Sequence, residues 1–588
     1  MTITSPVNSG LIFEAVYPGT LALLLERFSA SPVSADVIEA WTFDDVASRK
    51  NAEKALASRG ITVRIRSAYK PLLHFFLEEV RLDGLSDVRI GFPVSDKAPA
   101  NRFTLEAYPL AALVGSAKLS FTPKSDDNLT YDVTLVYQDG TKSAHSVFAP
   151  NRVHADAVGE TNLSPTGWLK FSAQEHGERF ETDYEAAFSD TMQALATHEW
   201  GQAEPYFGEL NIRISLPARD QPLSHNEEVV SLAEALHEDL YFSCLEFFQK
   251  KSGRPLGDRG LRPGQIVPEI VAGNAQITVR VEKRDLCIMD EKGASFDLAT
   301  ASEPLFANQL VTELQTIGGI AFEAKTRSGR IISARYIHGS DAAVMISAGQ
   351  HANETTGIVG ALRAAHALKS RPSAHFTISP LENPDGYALH RRLRADNPRH
   401  MHHAARYTAL GDDLEYRTVE NAGSNLFEKA IRLEAERLSG AQLHVNLHGY
   451  PSHEWTRPLS GYVPRNFGMW TLPKGFFLIM RHHPDWQDAS ERLLDRVTSD
   501  LGKIPGLLDY NAGQIGLYEV HAGETGFRII NGFPCMISVD DRHAAPMTLI
   551  TEYPDETIYG QKFIDGHTAQ MQTVLSAYDA FQEISAIS

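Results

Sequence analysis

Two short stretches place a histidine three residues ahead of a glutamate: "HANE", running from His351 to Glu354, and "HNEE", in which His225 precedes Glu228. An imidazole nitrogen and a carboxylate oxygen are both donors for a divalent cation. A catalytic zinc typically takes three such protein ligands and keeps a fourth position for water. Spacing alone separates nothing here, because either pair also fits a polar loop entering a helix. Context does separate them. "HNEE" lies in a polar loop before a helical pattern, which puts Glu228 in that helix's first turn, where the helix dipole favours a negative charge. His351 instead follows the unbroken apolar run "AAVMISA" (342–348), the mark of a strand buried on both faces. A third ligand should then close another strand. "LHVNLHGYP" offers His448, with Val445 and Leu447 alternating against His444, Asn446 and His448. His444 shares the face of His448 but lies deeper along the strand, and is expected to be a core histidine or one that supports the ligands.

The scaffold that must carry these residues is visible as a change of rhythm after residue 300. Strand-like runs at 330–339, 342–348, 375–381, 442–450, 475–480, 535–541 and 547–554 alternate with helical segments at 354–369, 424–439, 486–501 and 562–583. Such alternation predicts an α/β sheet with helices on both faces. Ligands in that architecture gather beyond the carboxyl ends of the strands. Residues 1–300 read as a mixed α+β region, open to division into two subdomains. "YDVTLVYQDGTKSAHSVF" (131–148) predicts a hairpin turning on Asp139-Gly140, and 277–298 predicts a second. "LNIRISLPARD" predicts a strand, 227–253 a helix, and the Gly-, Pro- and Arg-rich "KKSGRPLGDRGLRPGQIVPE" a linker or an ordered arm. The expected division is 1–300 and 301–588.

The chain has 588 residues, too many for one core, with 43% hydrophobic and 22% charged residues. Its formal net charge of -19 repels phosphate backbones and anionic membranes, which sets nucleic acid and membrane surfaces aside as partners. Cys244, Cys287 and Cys535 are far apart and odd in number. They are expected to be small core residues in a reducing compartment. The first residues carry no basic segment, Glu14 and Pro18 interrupt the apolar part, and no apolar run reaches membrane-spanning length. The expectation is a cytoplasmic protein.

"SGR" (328–330), "HANE" (351–354), "NPDGY" (383–387), "NLHGY" (446–450) and "TEYP" (551–554) follow one another in an order that resembles the zinc carboxypeptidase family over roughly residues 303–588. The resemblance implies an α/β/α sandwich around a mixed sheet, with one zinc ion held by His351, Glu354 and His448. It also implies a glutamate base on a late strand, for which Glu552 stands in place. Zinc lowers the pKa of water, and a carboxylate in reach can take the proton and return it to the departing amine. Glu556 competes for that role but lies beyond Pro554, where the strand is expected to end. A cation for the oxyanion is also required. Arg394 is the first choice and Arg391 the second, both from the basic run after "NPDGY", itself expected to be a turn.

The family's Asp-x-Asn-Arg segment corresponds to "GDDLEYR" (411–417). Asp413 can fix a zinc histidine's tautomer, but Glu415 and Tyr416 replace the pair that grips a terminal carboxylate. A carboxylate there repels a free peptide terminus, which points to a leaving group that is amidated, cationic or otherwise unusual. Arg417 is the candidate to take over. Tyr518 is the candidate for the family's substrate-covering tyrosine, on a glycine-flanked loop, with a core aromatic as the equal alternative. His400, His402 and His403 are expected at the surface, as is the helical triplet His237, Glu238 and Asp239, with the other half as a second candidate for what that triplet faces. The function expected is zinc-dependent hydrolysis of an amide bond in a peptide or modified amino acid. The alternatives are N-acyl amino acid deacylation of the aspartoacylase or succinylglutamate desuccinylase type and a non-catalytic binding scaffold. For residues 1–300 the sequence leaves shaping the cleft, restricting access and homo-oligomerisation all open.

Overall fold

The hairpin expected around Asp139-Gly140 forms: Thr130–Tyr137 pairs antiparallel with Lys142–Phe148, and Gly140 takes the positive φ of 84° that the turn needs. The computed structural model describes residues 10–30, 38–171, 177–273, 275–289, 292–423 and 425–586. Its first half holds three four-stranded sheets. The hairpin expected over 277–298 does not form. Ile277–Arg284 lies between Leu11–Tyr17 and Glu209–Leu216, so both its edges are taken by distant strands, while residues 290 and 291 lie outside the described ones. Helix α1, Leu232–Lys251, starts one turn later than the "HNEE" reading requires. Ser231 caps it by accepting the Glu234 N–H at 3.0 Å. Glu228 is instead buried before the helix, bonded to the Tyr108 hydroxyl and the Glu454 N–H.

The second half is built on a nine-stranded mixed sheet. Its strands are β1 Ile320–Lys325, β2 Ile331–Ile337, β3 Val344–Ala348, β4 Phe376–Ser379, β5 Leu443–Pro451, β6 Phe477–His482, β7 Arg528–Ile530, β8 Phe533–Val539 and β9 Met547–Glu556. Their order is β1-β2-β4-β3-β5-β9-β6-β8-β7. The central four, β4, β3, β5 and β9, run parallel, with β2 and β6 antiparallel beside them. Alternation sorts the two faces. Val344, Ile346 and Ala348 of β3 and Leu443, Val445 and Leu447 of β5 enter one core, and Met345 enters another. Each large side chain in this set contributes about 1.5–3 kcal/mol on burial.

Besides the helix Ala307–Ile317 and the short Val419–Ala422, the described residues of the second half hold helices α2 Thr356–Lys369, α3 Pro384–Asp396, α4 Lys429–Ser439, α5 Gln487–Leu501, α6 Leu507–Ala522 and α7 Gln561–Ser585. Residues of α2, α5 and α7 share the first core, and Ile431 and Ala435 of α4 share the second. Two of these helices depart from expectation. "NPDGY" opens α3 instead of a turn: Asn383 accepts the Gly386 N–H at 2.9 Å and Pro384 occupies the first turn, a position where a missing N–H costs nothing. Tyr518 sits in α6 and not on a loop. β9 also runs through Pro554 to Glu556, past the expected stop, because its register shifts opposite Tyr450 and Pro451.

The two halves share a core. Leu210, Ile212, Phe242 and Phe248 of the first half cluster with Leu389, Leu393, Trp455 and Tyr518 of the second. The Gly-rich stretch 252–264 is the ordered arm of the two readings: the Gly264 N–H donates to the Leu410 carbonyl at 2.9 Å, and Arg262 pairs with Asp412 at 3.4 Å. Cys244 and Cys535 are buried, but Cys287 is exposed and so is not the core residue expected. Among the described residues no helix is long and apolar enough to cross a membrane.

Candidate metal centre

The carboxyl ends of β3, β5 and β9 meet in a cavity of about 280 Å³ that includes His351, His448 and Glu552 in its lining. Gly349, at φ 62°, turns the chain out of β3. A Cβ there would lie 2.8 Å from Leu381 Cδ1, so only glycine lets the backbone pass and carry His351 into the cavity. Glu354 follows three residues later, before α2. His448 reaches the same point from β5, directly opposite Glu552 of β9 in register. His351 Nδ1 lies 2.8 Å from Glu354 Oε1. His448 Nδ1 lies 3.0 Å from Glu354 Oε2 and 3.0 Å from His351 Nδ1. Ligand atoms of all three residues fall within 4.8 Å of one another, and all three residues are buried.

Neighbours hold this set in place. The Asp413 carboxylate meets His351 Nε2 at 3.2 Å and accepts from Gln350 Nε2 at 2.8 Å. The Gly449 N–H donates to Glu354 Oε2 at 3.0 Å. Arg406 donates to Glu354 Oε1 at 2.5 Å. Burial alone would raise the Glu354 pKa, but the charges of His351, Arg406 and His448 pull it well below the carboxylate range. Asp413 is likewise lowered against its burial, chiefly by His351. Glu552 is the opposite case. Burial and the nearby Glu354 charge push it well above the usual range, with Arg406 and Lys474 pulling the other way. Lys474 lies 5.2–5.4 Å from the Tyr450, Trp470, Phe477 and Tyr518 rings, and burial brings it down to about 7.

The structure brings together some expected residues and separates others. His351, Glu354, His448, Glu552, Asp413 and Tyr416 converge. Arg391 and Arg394 do not. Arg391 donates to the Pro304 carbonyl at 3.2 Å and lies over Phe306, and Arg394 pairs with Glu303 at 2.8 Å. Both face away from the cavity because they ride on α3. The arginine that does meet this cluster is Arg406, which pairs with Glu354 from the irregular segment after α3. Arg417 is buried in ion pairs with Asp412 and Glu428 and does not reach the cavity. Tyr518 packs in the core shared by the halves. Glu556 is buried beside Asn353, which donates to it at 2.6 Å, outside the cavity. His444 lines the cavity's deep wall, bonded to Ser347 at 2.7 Å.

Glu415 does line the cavity, but it offers no bare charge. Arg432, Arg481 and His543 meet it at 2.8, 3.1 and 2.7 Å, so the expected repulsion is offset. The surface placement of two histidine-containing groups also fails. His400, His402 and His403 are buried between the halves, with His400 bonded to Asp220 and Ser231 and His403 to Glu238 of α1. His237, Glu238 and Asp239 are buried too, and Asp239 accepts from the Leu459 N–H at 2.8 Å. The triplet faces the other half, the second of the two readings. His403 lines the cavity, so α1 supports the site through it.

No protein-family model matches the chain, and no curated protein does. Solved structures resemble it distantly. A metallo-carboxypeptidase from Pseudomonas aeruginosa, in complex with (2-guanidinoethylmercapto)succinic acid, is 14% identical over 53% of this chain and 73% of its own, with a TM-score of 0.30. A metallo-carboxypeptidase from Burkholderia cenocepacia is 13% identical over 53% of this chain and 77% of its own, at 0.29. Bovine thrombin-activatable fibrinolysis inhibitor, in complex with tick carboxypeptidase inhibitor, is 9% identical over 48% of this chain and 96% of its own, at 0.27. Scores this low carry no weight for the chemistry of the site. What they amount to is a distant resemblance to metallo-carboxypeptidase structures across about half of a mixed α/β chain.

Proposed function

We propose that this protein is a zinc-dependent hydrolase of an amide bond in a peptide or modified amino acid. The observation that carries the reading is the convergence of His351, Glu354 and His448, with His351 and His448 lining one cavity together with Glu552. The donor set fits the ion. Two imidazole nitrogens 3.0 Å apart cannot both carry protons, and each faces the same carboxylate, the mixed nitrogen and oxygen set that zinc accepts. Asp413, hydrogen-bonded to the far nitrogen of His351, fixes the tautomer that leaves Nδ1 free. When bound, zinc polarises a carbonyl and acidifies water.

The remaining roles belong to the chain. Glu552 accepts a proton from the attacking water and passes it to the departing amine. Arg406, rather than Arg391 or Arg394, presents a guanidinium to the oxygen on which negative charge develops. Tyr416 contributes an aromatic wall. Arg417 is proposed as a structural ion pair, and Tyr518 as a core residue that helps enclose Lys474. N-acyl amino acid deacylation remains the second reading, because Glu415, taken up by Arg432 and Arg481, stands where the resemblance would place a clamp for a peptide's terminal carboxylate.

The test is metal analysis of the purified protein, followed by hydrolysis assays on C-terminally free, amidated and N-acylated substrates before and after chelation. A Glu552→Gln variant that keeps its metal should lose about 10²–10⁴-fold in kcat. Full activity in that variant would remove Glu552 from the chemistry.

A further inference from the structure

Four guanidiniums line the cavity, those of Arg259, Arg406, Arg432 and Arg481. Three of them are committed to carboxylates. Arg406 pairs with Glu354, Arg432 with Glu382 and Glu415, and Arg481 with Glu415 and Asp540. Arg259 is different. Among the described residues it has no carboxylate within ion-pair distance. Its guanidinium lies instead over the Tyr416 ring at 4.8 Å and near the Phe467 ring at 5.7 Å. An aromatic face holds a guanidinium in place without using its N–H donors. The planar fork therefore remains available at the cavity's exposed edge.

The segment that presents Arg259 is pinned on both sides. The buried Gln249 of α1 accepts the Gly257 N–H at 3.1 Å and donates to the Asp258 carbonyl at 2.9 Å. Asp258 accepts the Gly260 N–H at 2.8 Å. Beyond it, Arg262 pairs with Asp412, next to the Asp413 that supports His351. An arm anchored in this way holds its arginine in position before any ligand arrives, which lowers the ordering cost of binding.

We propose that Arg259, supplied by the amino-terminal half, binds a carboxylate of the substrate and sets its position relative to Glu552. This rests on the hydrolase reading above. A carboxylate matches the fork with two parallel hydrogen bonds. A phosphate dianion fits less well, because Glu415, Glu552 and Asp413 already line the same cavity. The carboxylate belongs either to a peptide's last residue or to an N-acyl amino acid. In both cases the first half of the chain selects the substrate, and the second half carries the metal ligands and the base.

The experiment compares wild type, Arg259→Ala and Arg259→Lys. Calorimetry measures binding of N-acetylated amino acids, N-acetylated dipeptides and the carboxamide of each, to metal-free and zinc-loaded protein. Wild type is expected to prefer the free acid over the carboxamide by about tenfold or more. Arg259→Ala should abolish that preference while leaving carboxamide affinity, metal content and melting temperature unchanged, and Arg259→Lys should restore it in part. The dipeptide and amino-acid arms tell the two carboxylate sources apart. A preference that survives in Arg259→Ala overturns the proposal. So does a parallel loss of acid and amide affinity, or a wild type that fails to prefer the acid. Loss of the preference in Arg259→Ala, with no hydrolysis by wild type, would leave this anchor standing and count against the hydrolase alone. An inactive Glu552→Gln beside an unaltered Arg259→Ala would do the reverse.

Discussion

Replacing Arg406 by Gln should make the metal bind more tightly and the enzyme turn over more slowly. In the metal-free protein the Arg406 guanidinium is the direct cationic partner of Glu354, at 2.5 Å, and Glu354 is only 1% exposed. Removing one member of such a buried pair costs about 3–5 kcal/mol, because the remaining charge has lost its compensation. Once a divalent ion sits on Glu354, that ion supplies the compensation and the cost shrinks. By linkage, whatever destabilisation zinc relieves appears as gained zinc affinity. If about 2 kcal/mol is relieved, the gain is roughly thirtyfold. On the proposed oxyanion role of Arg406, its loss should meanwhile lower kcat by about 10²–10³. Urea unfolding with and without zinc, chelator competition and steady-state kinetics measure the three quantities on one variant. Weaker metal binding together with an unchanged kcat would refute the reasoning, since Arg406 would then only be holding the ligand glutamate in shape.

Three further outcomes are expected. Asp413→Asn should keep the fold but weaken zinc binding about 10–100-fold, because an amide cannot accept the His351 Nε2 proton as a carboxylate does; unchanged affinity in a metal titration would show that the 3.2 Å contact is incidental. Burial holds His237 and His390 down to about 3 and His521 and His567 down to about 4, below the usual 6.5, so the unfolded chain takes up their protons first as pH falls. Their contribution to stability is complete above pH 6.5 and declines by about 1.4 kcal/mol per pH unit for each group below it. At pH 5 that is on the order of 2 kcal/mol for each histidine, while Asp44, Asp239, Glu428 and Glu454, pushed up to about 7 by burial, gain stability over the same window. The check is therefore made one histidine at a time, and a stability of wild type relative to His567→Gln that does not fall by about 2 kcal/mol between pH 7.5 and 5 would contradict the burial assigned to His567. Glu238→Ala should free the His403 imidazole and lower kcat/KM several-fold with metal content intact, and an unaltered value would separate α1 from the site.

The four residues at the strand ends were legible for a local reason. A run such as "AAVMISA" has one compatible environment, a strand covered on both faces, and the polar alternation of "LHVNLHGY" puts His444, Asn446 and His448 on one side whatever surrounds them. Once the strands are parallel and adjacent, their carboxyl ends must meet. Arg391 and Arg394 failed by the same kind of argument. Their clustering was visible, but the direction they face depends on α3, which begins at the Asn383 cap and turns both toward Glu303 and Phe306. The buried histidines failed because a polar run carries no mark of burial when the groups that satisfy it lie far away in sequence. His403 needs Glu238, and His400 needs Asp220.

By itself, then, the sequence determined the strands and the histidines and glutamates at their ends, a donor set able to hold a divalent ion, because side-chain period and strand burial are local properties. Tertiary structure alone decided which cations join them. Arg406 comes from an irregular segment and Arg259 from an arm of the other half, and neither position repeats with any period that a sequence displays. Their place at the cavity follows from long-range packing of α1 and the Gly-rich arm against the sheet, an outcome set by burial and charge pairing across more than a hundred residues of chain.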